Sequence, residues 1–169
     1  MPESLLTELD HSTHQTNAVR VTVNAAFLKE IKEDNRQLKA LWDRLVPLLT
    51  YAATAENHWE ELIDGLAELR DQLAMHFSLE EAFGYFDEAI DIAPRMSMVA
   101  VSLRGEHSML FATARDLADA VLEVDSDRIE AIEEFVARFN RFRRQFERHE
   151  EAELRLILSC FDDDLGEGD

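Results

Sequence analysis

The 169-residue chain has little of what builds turns, cross-links or membrane spans. Cys160 is its single cysteine, so no intrachain disulfide can form and nothing in cysteine usage argues for secretion. Five glycines and three prolines are too few for a turn-rich β fold. No apolar stretch approaches the roughly 20 residues that a bilayer-spanning helix needs. The start, MPESLLTELDHSTH, lacks a basic segment followed by an apolar one and does not read as a secretory leader. Basic residues are scarce as well: 17 Lys and Arg against 36 Asp and Glu leave a net charge of −19, a surface that repels phosphate backbones and anionic lipid. These absences set nucleic acid and membranes aside as partners and leave a cytoplasmic protein as the expectation.

What the chain does have is hydrophobic residues at helical spacing. Residues 1–18 read as a polar arm, 19–160 as one helical domain and 161–169 as an acidic tail. Four amphipathic segments are predicted. The first runs from Val21 to Ala53 and buries Phe27, Leu28, Ile31, Leu38, Leu41, Trp42, Leu45 and Leu48, with a kink expected at Pro47. The second runs from Asn57 to Ile90 along Trp59, Leu62, Leu66, Leu69 and Leu73. The third, from Pro94 to Val124, uses Met96, Val99, Leu103, Leu110, Ala114, Leu117 and Val121. The fourth, from Asp127 to Cys160, uses Ile129, Ile132, Phe135, Phe139, Phe142, Phe146 and Leu156, with Asp125 or Ser126 as its N-cap. Short connections make neighbouring helices antiparallel. The fold class is therefore all-α, an up-down-up-down four-helix bundle.

Each stripe is broken by polar residues where the core should be. Asn35, or its neighbour Asp34, falls between Ile31 and Leu38; His76 and Glu80 follow Leu73. His107 falls between Leu103 and Leu110, and His149 and Glu153 between Phe146 and Leu156. Measured from the loop at the far end of each helix, the breaks lie roughly 17 to 24 residues away, or about 25 to 36 Å at about 1.5 Å per residue. In an up-down-up-down bundle they converge on one layer. Three imidazoles and two carboxylates are costly to bury without compensation, and a metal ion provides it. Imidazole with carboxylate suits iron, manganese or zinc, and two carboxylates able to bridge suit a pair of ions.

Other residues are weighed against this layer. His11 and His14 lie in the polar arm, and His58 opens the second helix at the far end on the surface. Glu81, Glu106, Glu150 and Glu151 adjoin the layer and are candidates to hold the imidazoles from outside. Met75, Met96, Met98 and Met109 are expected to fill core space. RFNRFRRQFERHEE resembles a basic aromatic patch, but its Phe residues sit at core spacing and its Arg residues among Glu, so nucleic-acid binding is not inferred.

With these residues in place, the chain resembles the hemerythrin-like (HHE cation-binding) domains over about residues 24 to 160. LKEIKEDNRQLKALWDRL is similar to the family's first helix, LAMHFSLEEAFGYF to its second, LRGEHSMLF to its third and FRRQFERHEEAELRLIL to its fourth. The resemblance implies a non-haem di-iron centre with Glu80 and Glu153 bridging and His76, His107 and His149 as terminal ligands. It implies dioxygen, or a related small oxidant, as the molecule bound, sensed or reduced. Two positions depart from the family pattern. Its first-helix His falls at Asn35, leaving that ligand to Asn35, Asp34 or water, and the second third-helix His of dioxygen carriers falls at Phe111. Fewer imidazoles argue against simple oxygen storage and admit manganese or a mixed pair. The expected function is a dinuclear metal protein acting on a small oxidant, its open position shielded by Phe77, Phe146 and Trp42. The alternatives are a metal-dependent sensory or interaction module that works on an unidentified protein partner without turnover, and a bundle with a purely structural metal.

Overall fold

Buried positions step by three and four residues along every long helix, the pattern that keeps one stripe facing the centre of a bundle. The computed structural model describes residues 29, 32–82 and 94–166. Helix α1 covers 32–48, followed by α2 (Ala52–Asn57), α3 (Trp59–Ala82), a 3₁₀ turn (Pro94–Met96), α4 (Ser97–Glu123) and α5 (Ile129–Gly166). No strand occurs among the described residues. The arm with His11 and His14, the stripe residues Phe27, Leu28 and Ile31, and the expected end of the second helix at Ile90 lie outside the described residues.

The architecture is the all-α antiparallel bundle. Asp34 near the start of α1 meets Gln72 and His76 near the end of α3, while Arg44 pairs with Glu68 further back along α3. The five-residue connection 124–128 turns α5 back along α4, and α3 packs against α4. In α3 the buried stripe is Leu62, Leu66, Leu69, Leu73, His76 and Glu80; in α5 it is Phe135, Phe139, Phe142, Phe146, His149, Glu153 and Leu156. The polar residues thus continue the apolar stripes without a change of phase. Each fully buried Leu or Phe contributes roughly 1.5–3 kcal/mol relative to exposure, so the main core carries the fold.

Several boundaries differ from the sequence expectation. The first helix does not run through Pro47 to Ala53. It ends at residue 48, Tyr51 is extended (φ −131°, ψ 141°), and α2 starts afresh. Pro47 offers no N–H to the preceding turn, and the Thr50 hydroxyl donates to the Val46 carbonyl at 2.8 Å, so the helix is closed off there. The break lets Leu49 and Ala55 bury fully, whereas Leu48 is only partly buried. Asp125 is not the N-cap of α5. Its side chain accepts the Asp127 N–H at 3.2 Å, forming a turn, and Arg128 N–H bonds the Asp125 carbonyl.

Three of the four methionines expected in the core are exposed: Met75 (56%), Met98 (78%) and Met109 (53%). The stripes that the helices bury pass through His76 and Phe77, Ala100 and Leu103, and Leu110, and each of these methionines sits beside its stripe. Val99 and Ile129 are exposed for the same reason, with Ala100 and Ile132 taking the inward positions. Met96 packs against a small apolar cluster of Ala100, Leu103 and Leu156. This cluster lies apart from the main core, to which α1, α2, α3, α4 and α5 all contribute.

Candidate metal centre

Between the main core and the small cluster, four helices bury Asp34, His76, Glu80, His107, His149 and Glu153, each no more than 7% exposed. Helical periodicity puts His76 and Glu80, and His149 and Glu153, one turn apart on the inward stripes, where the two pairs face each other. His107 enters from α4.

Each imidazole has the same division of labour. Its Nδ1 faces outward to a carboxylate: His76 to Asp34 Oδ2 (2.7 Å), His107 to Glu81 Oε1 (3.0 Å), His149 to Glu106 Oε2 (3.0 Å). Its Nε2 faces inward. His76 Nε2 lies 3.1 Å from both Glu80 Oε1 and Glu150 Oε1. His107 Nε2 lies 3.3 Å from Glu153 Oε1 and 3.5 Å from Glu80 Oε2, and His149 Nε2 lies 3.1 Å from Glu153 Oε1. Outward carboxylates that fix the ring and raise its basicity are the usual support of metal-binding histidines.

Aromatic rings close the inner side. Phe77 stacks on His107 at 4.4 Å between centroids, and Phe146 lies 6.1 Å from His76. Trp42 packs on Phe146 at 5.4 Å, a layer further into the core.

Charge in this low-dielectric layer is strongly perturbed. Burial pushes Glu80 up to about 8, opposed by His76 and reinforced by Glu153. Burial acts on Glu153 in the same sense, but the bond to His107 and the nearby His149 imidazole outweigh it and hold that carboxyl at about 2. Burial alone would lower His76; its bonds to Asp34 and Glu150 overcome this and raise it to about 10. His149 is raised as well, burial being outweighed by Glu153 and Glu106.

The donor set fits metal. Glu80 Oε2 and His149 Nε2 are buried without a hydrogen-bond partner, although His149 Nε2 and Glu153 are close. Lone pairs left open in a buried layer are costly unless something other than protein takes them. Two groups of three residues bring donor atoms within 4.8 Å of one another: His107, His149 and Glu153, and His76, Glu80 and Glu150.

On the first helix, Asp34 is the residue that faces inward; Asn35 is exposed and lines the mouth of a cavity that reaches His76 and Glu80. Phe111 is partly buried beside His107 and offers no donor. Of the residues read as outer supports, Glu81 and Glu106 hold imidazoles from outside, whereas Glu151 is exposed and pairs with Arg155. Glu150, expected among the outer supports, meets the inner nitrogen of His76 instead. The signal was present in the sequence: Glu150 precedes Glu153 by three residues, so the two share a helix face. His58 is exposed beside Glu61, distant in sequence and contact from the layer.

Fold and site together define a cation-binding helical bundle. The family model of the hemerythrin HHE cation binding domain matches residues 26–160, and the chain belongs to that family. No curated protein and no solved structure gives a significant match. No helix among the described residues is long and apolar enough to cross a membrane.

Proposed function

We propose that this protein holds two non-haem iron ions in the buried layer and binds, senses or reduces dioxygen or a related small oxidant. The observation that carries this reading is the pair of three-donor groups with Glu80 between them, one carboxyl oxygen toward His76 and the other toward His107. His76, Glu80, His107, His149 and Glu153 would hold the ions, and ferrous iron bound there would supply electrons to the oxidant. Asn35, exposed at the cavity mouth, is placed to meet an incoming molecule or a water. Phe77 and Phe146 restrict water on the inner side, and Asp34, Glu81 and Glu106 hold the rings in place and accept the Nδ1 protons. Phe111 adds no imidazole, which favours reaction or sensing over reversible storage. Manganese, or a mixed pair, is compatible with the carboxylate-rich donors.

The test is anaerobic reconstitution with ferrous iron, followed by iron analysis and visible spectroscopy on exposure to oxygen. Close to two ions per chain and an oxygen-dependent spectrum are expected. Absence of bound metal after reconstitution overturns the reading.

The layer's position favours a second reading, a metal-dependent sensory or interaction module. Six buried polar residues from four helices meet there, so occupancy alters how firmly that end of the bundle is held. Metal-dependent capture of a protein partner with no oxidant consumption would favour it over the first.

A further inference from the structure

His76 differs from the other imidazoles in what its inner nitrogen meets. His107 and His149 both turn Nε2 toward Glu153, which gathers two imidazoles and one carboxylate at one position. His76 turns Nε2 toward Glu80 and Glu150, both at 3.1 Å, which gathers one imidazole and two carboxylates at the other. The first helix does not complete the second group. Asp34 is bound to the outer nitrogen of His76 and to Gln72, and Asn35 is exposed.

We propose that Glu150 is a ligand of the second metal ion, so that α5 supplies the donor that α1 lacks and the bundle holds two unlike metal positions. This rests on the two-ion reading above. Glu150 lies one residue past His149 and three before Glu153, so one helix serves both positions: His149 and Glu153 the first, Glu150 the second. The positions differ in donors: with Glu80 between them, one has two imidazoles and Glu153, the other a single imidazole and Glu150. They differ in access too. His107, His149 and Glu153 are at most 3% exposed, while the Glu150 side chain is 38% exposed. Glu150 also lines a cavity of about 320 Å³ with Asn35, His76, Glu80 and Glu153, while His107 and His149 each line a separate cavity. Buried Glu80, with one oxygen unpartnered, forms part of the same wall. With one of its donors 38% exposed, the ion beside Glu150 is the more readily exchanged of the two. Its oxygen-rich donors also make it the position that accepts manganese more readily.

The test is release of ferrous iron from the anaerobically loaded full-length chain into a coloured chelator. Wild type should lose two ions in two phases of equal size. Glu150→Gln keeps size and removes the anionic donor. It should speed the fast phase at least about tenfold, or lower the stoichiometry to about one ion, and leave the slow phase unchanged. Glu151→Gln, altering an exposed neighbour paired with Arg155, should behave as wild type. Glu150→His should keep both ions and shift the visible spectrum of the oxidised site, and this variant carries the test if Glu150→Gln loses helix content. Glu150→Gln that releases both ions as wild type does, or Glu150→His with an unshifted spectrum, overturns the role of Glu150 alone. Wild type that takes up no iron overturns the two-ion reading and this inference with it.

Discussion

The two ends of the bundle are built from the same stripes by opposite means. Toward the α2 end, Leu45, Leu49, Leu62, Leu66, Val121, Ile132, Phe135 and Phe139 fill the interior with apolar side chains, all at 2% exposure or less. Toward the other end the same stripes carry Asp34, His76, Glu80, His107, His149 and Glu153, and among the described residues the apolar cluster beside them is Ala100, Leu103 and Leu156 with Met96 and Ala152 packed on it. Apolar burial stabilises the first end without further conditions. The second end buries charge that is compensated internally only in part, and its stability depends on what fills it. The difference teaches where this fold spends stability: the apolar end holds four helices in register so that the polar end can keep costly groups aligned.

The largest effect should come from breaking the apolar end. Phe139→Ala removes a fully buried ring beside Trp42 and should cost about 3–5 kcal/mol in urea unfolding, to similar extents with and without metal. A loss under about 1 kcal/mol would show that the main core does not carry the fold.

Filling the polar end should come next. Iron at about a thousand times its dissociation constant should stabilise the native state by about 4 kcal/mol, seen as a higher melting temperature than that of chelator-washed protein. His107→Leu should abolish that gain and also destabilise the metal-free protein, because it leaves Glu153 buried without the imidazole that bonds it. Identical melting of loaded and stripped wild type would contradict the contrast between the ends.

The polar end should also respond to protons. Without metal, Glu80 (about 8) and His76 (about 10) both hold a proton at pH 7, and both must give it up to become ligands. Metal uptake at pH 7 should therefore release about one to two protons per chain, and affinity should fall as pH is lowered. The slope should be about 1.4 kcal/mol per pH unit for each proton displaced. Uptake in weakly buffered indicator solution reads the release directly; no proton release at pH 7 would show that these groups are already in ligand form.

The smallest effect concerns two glycines in opposite surroundings. A Cβ at Gly105 would meet nothing within 4 Å, so Gly105→Ala should gain up to about 1 kcal/mol from helix propensity, raising the melting temperature by roughly 2–4 °C. A Cβ at Gly65 would come within 2.5 Å of Leu45 Cδ2, so Gly65→Ala should lose stability unless Leu45 can turn away. Equal responses at the two positions would mean that α1 and α3 are not in close contact at that level.

Spacing along the chain by itself determined the class of this protein. Steps of three and four between Leu, Phe and Ala dictate helices, short connections dictate antiparallel packing, and His76, Glu80, His107, His149 and Glu153 stand in phase with those stripes because the period of a helix does not depend on its neighbours. The tertiary structure decided what depends on how helices are rotated and how near they come. Asp34 and Asn35 are about 100° apart on one helix and either could have faced inward. Contact of α1 with α3, close where Leu45 meets Gly65, turns Asp34 toward His76 and leaves Asn35 exposed beside the cavity. Met75, Met98 and Met109 sit beside the buried stripes, and only the rotation of α3 and α4 shows that they face out. Glu150 shares a face with Glu153 by spacing, but its meeting with the inner nitrogen of His76, 74 residues away, follows from the approach of α5 to α3. Periodicity reports which residues share a side of one helix; only packing between helices decides which atoms on those sides meet.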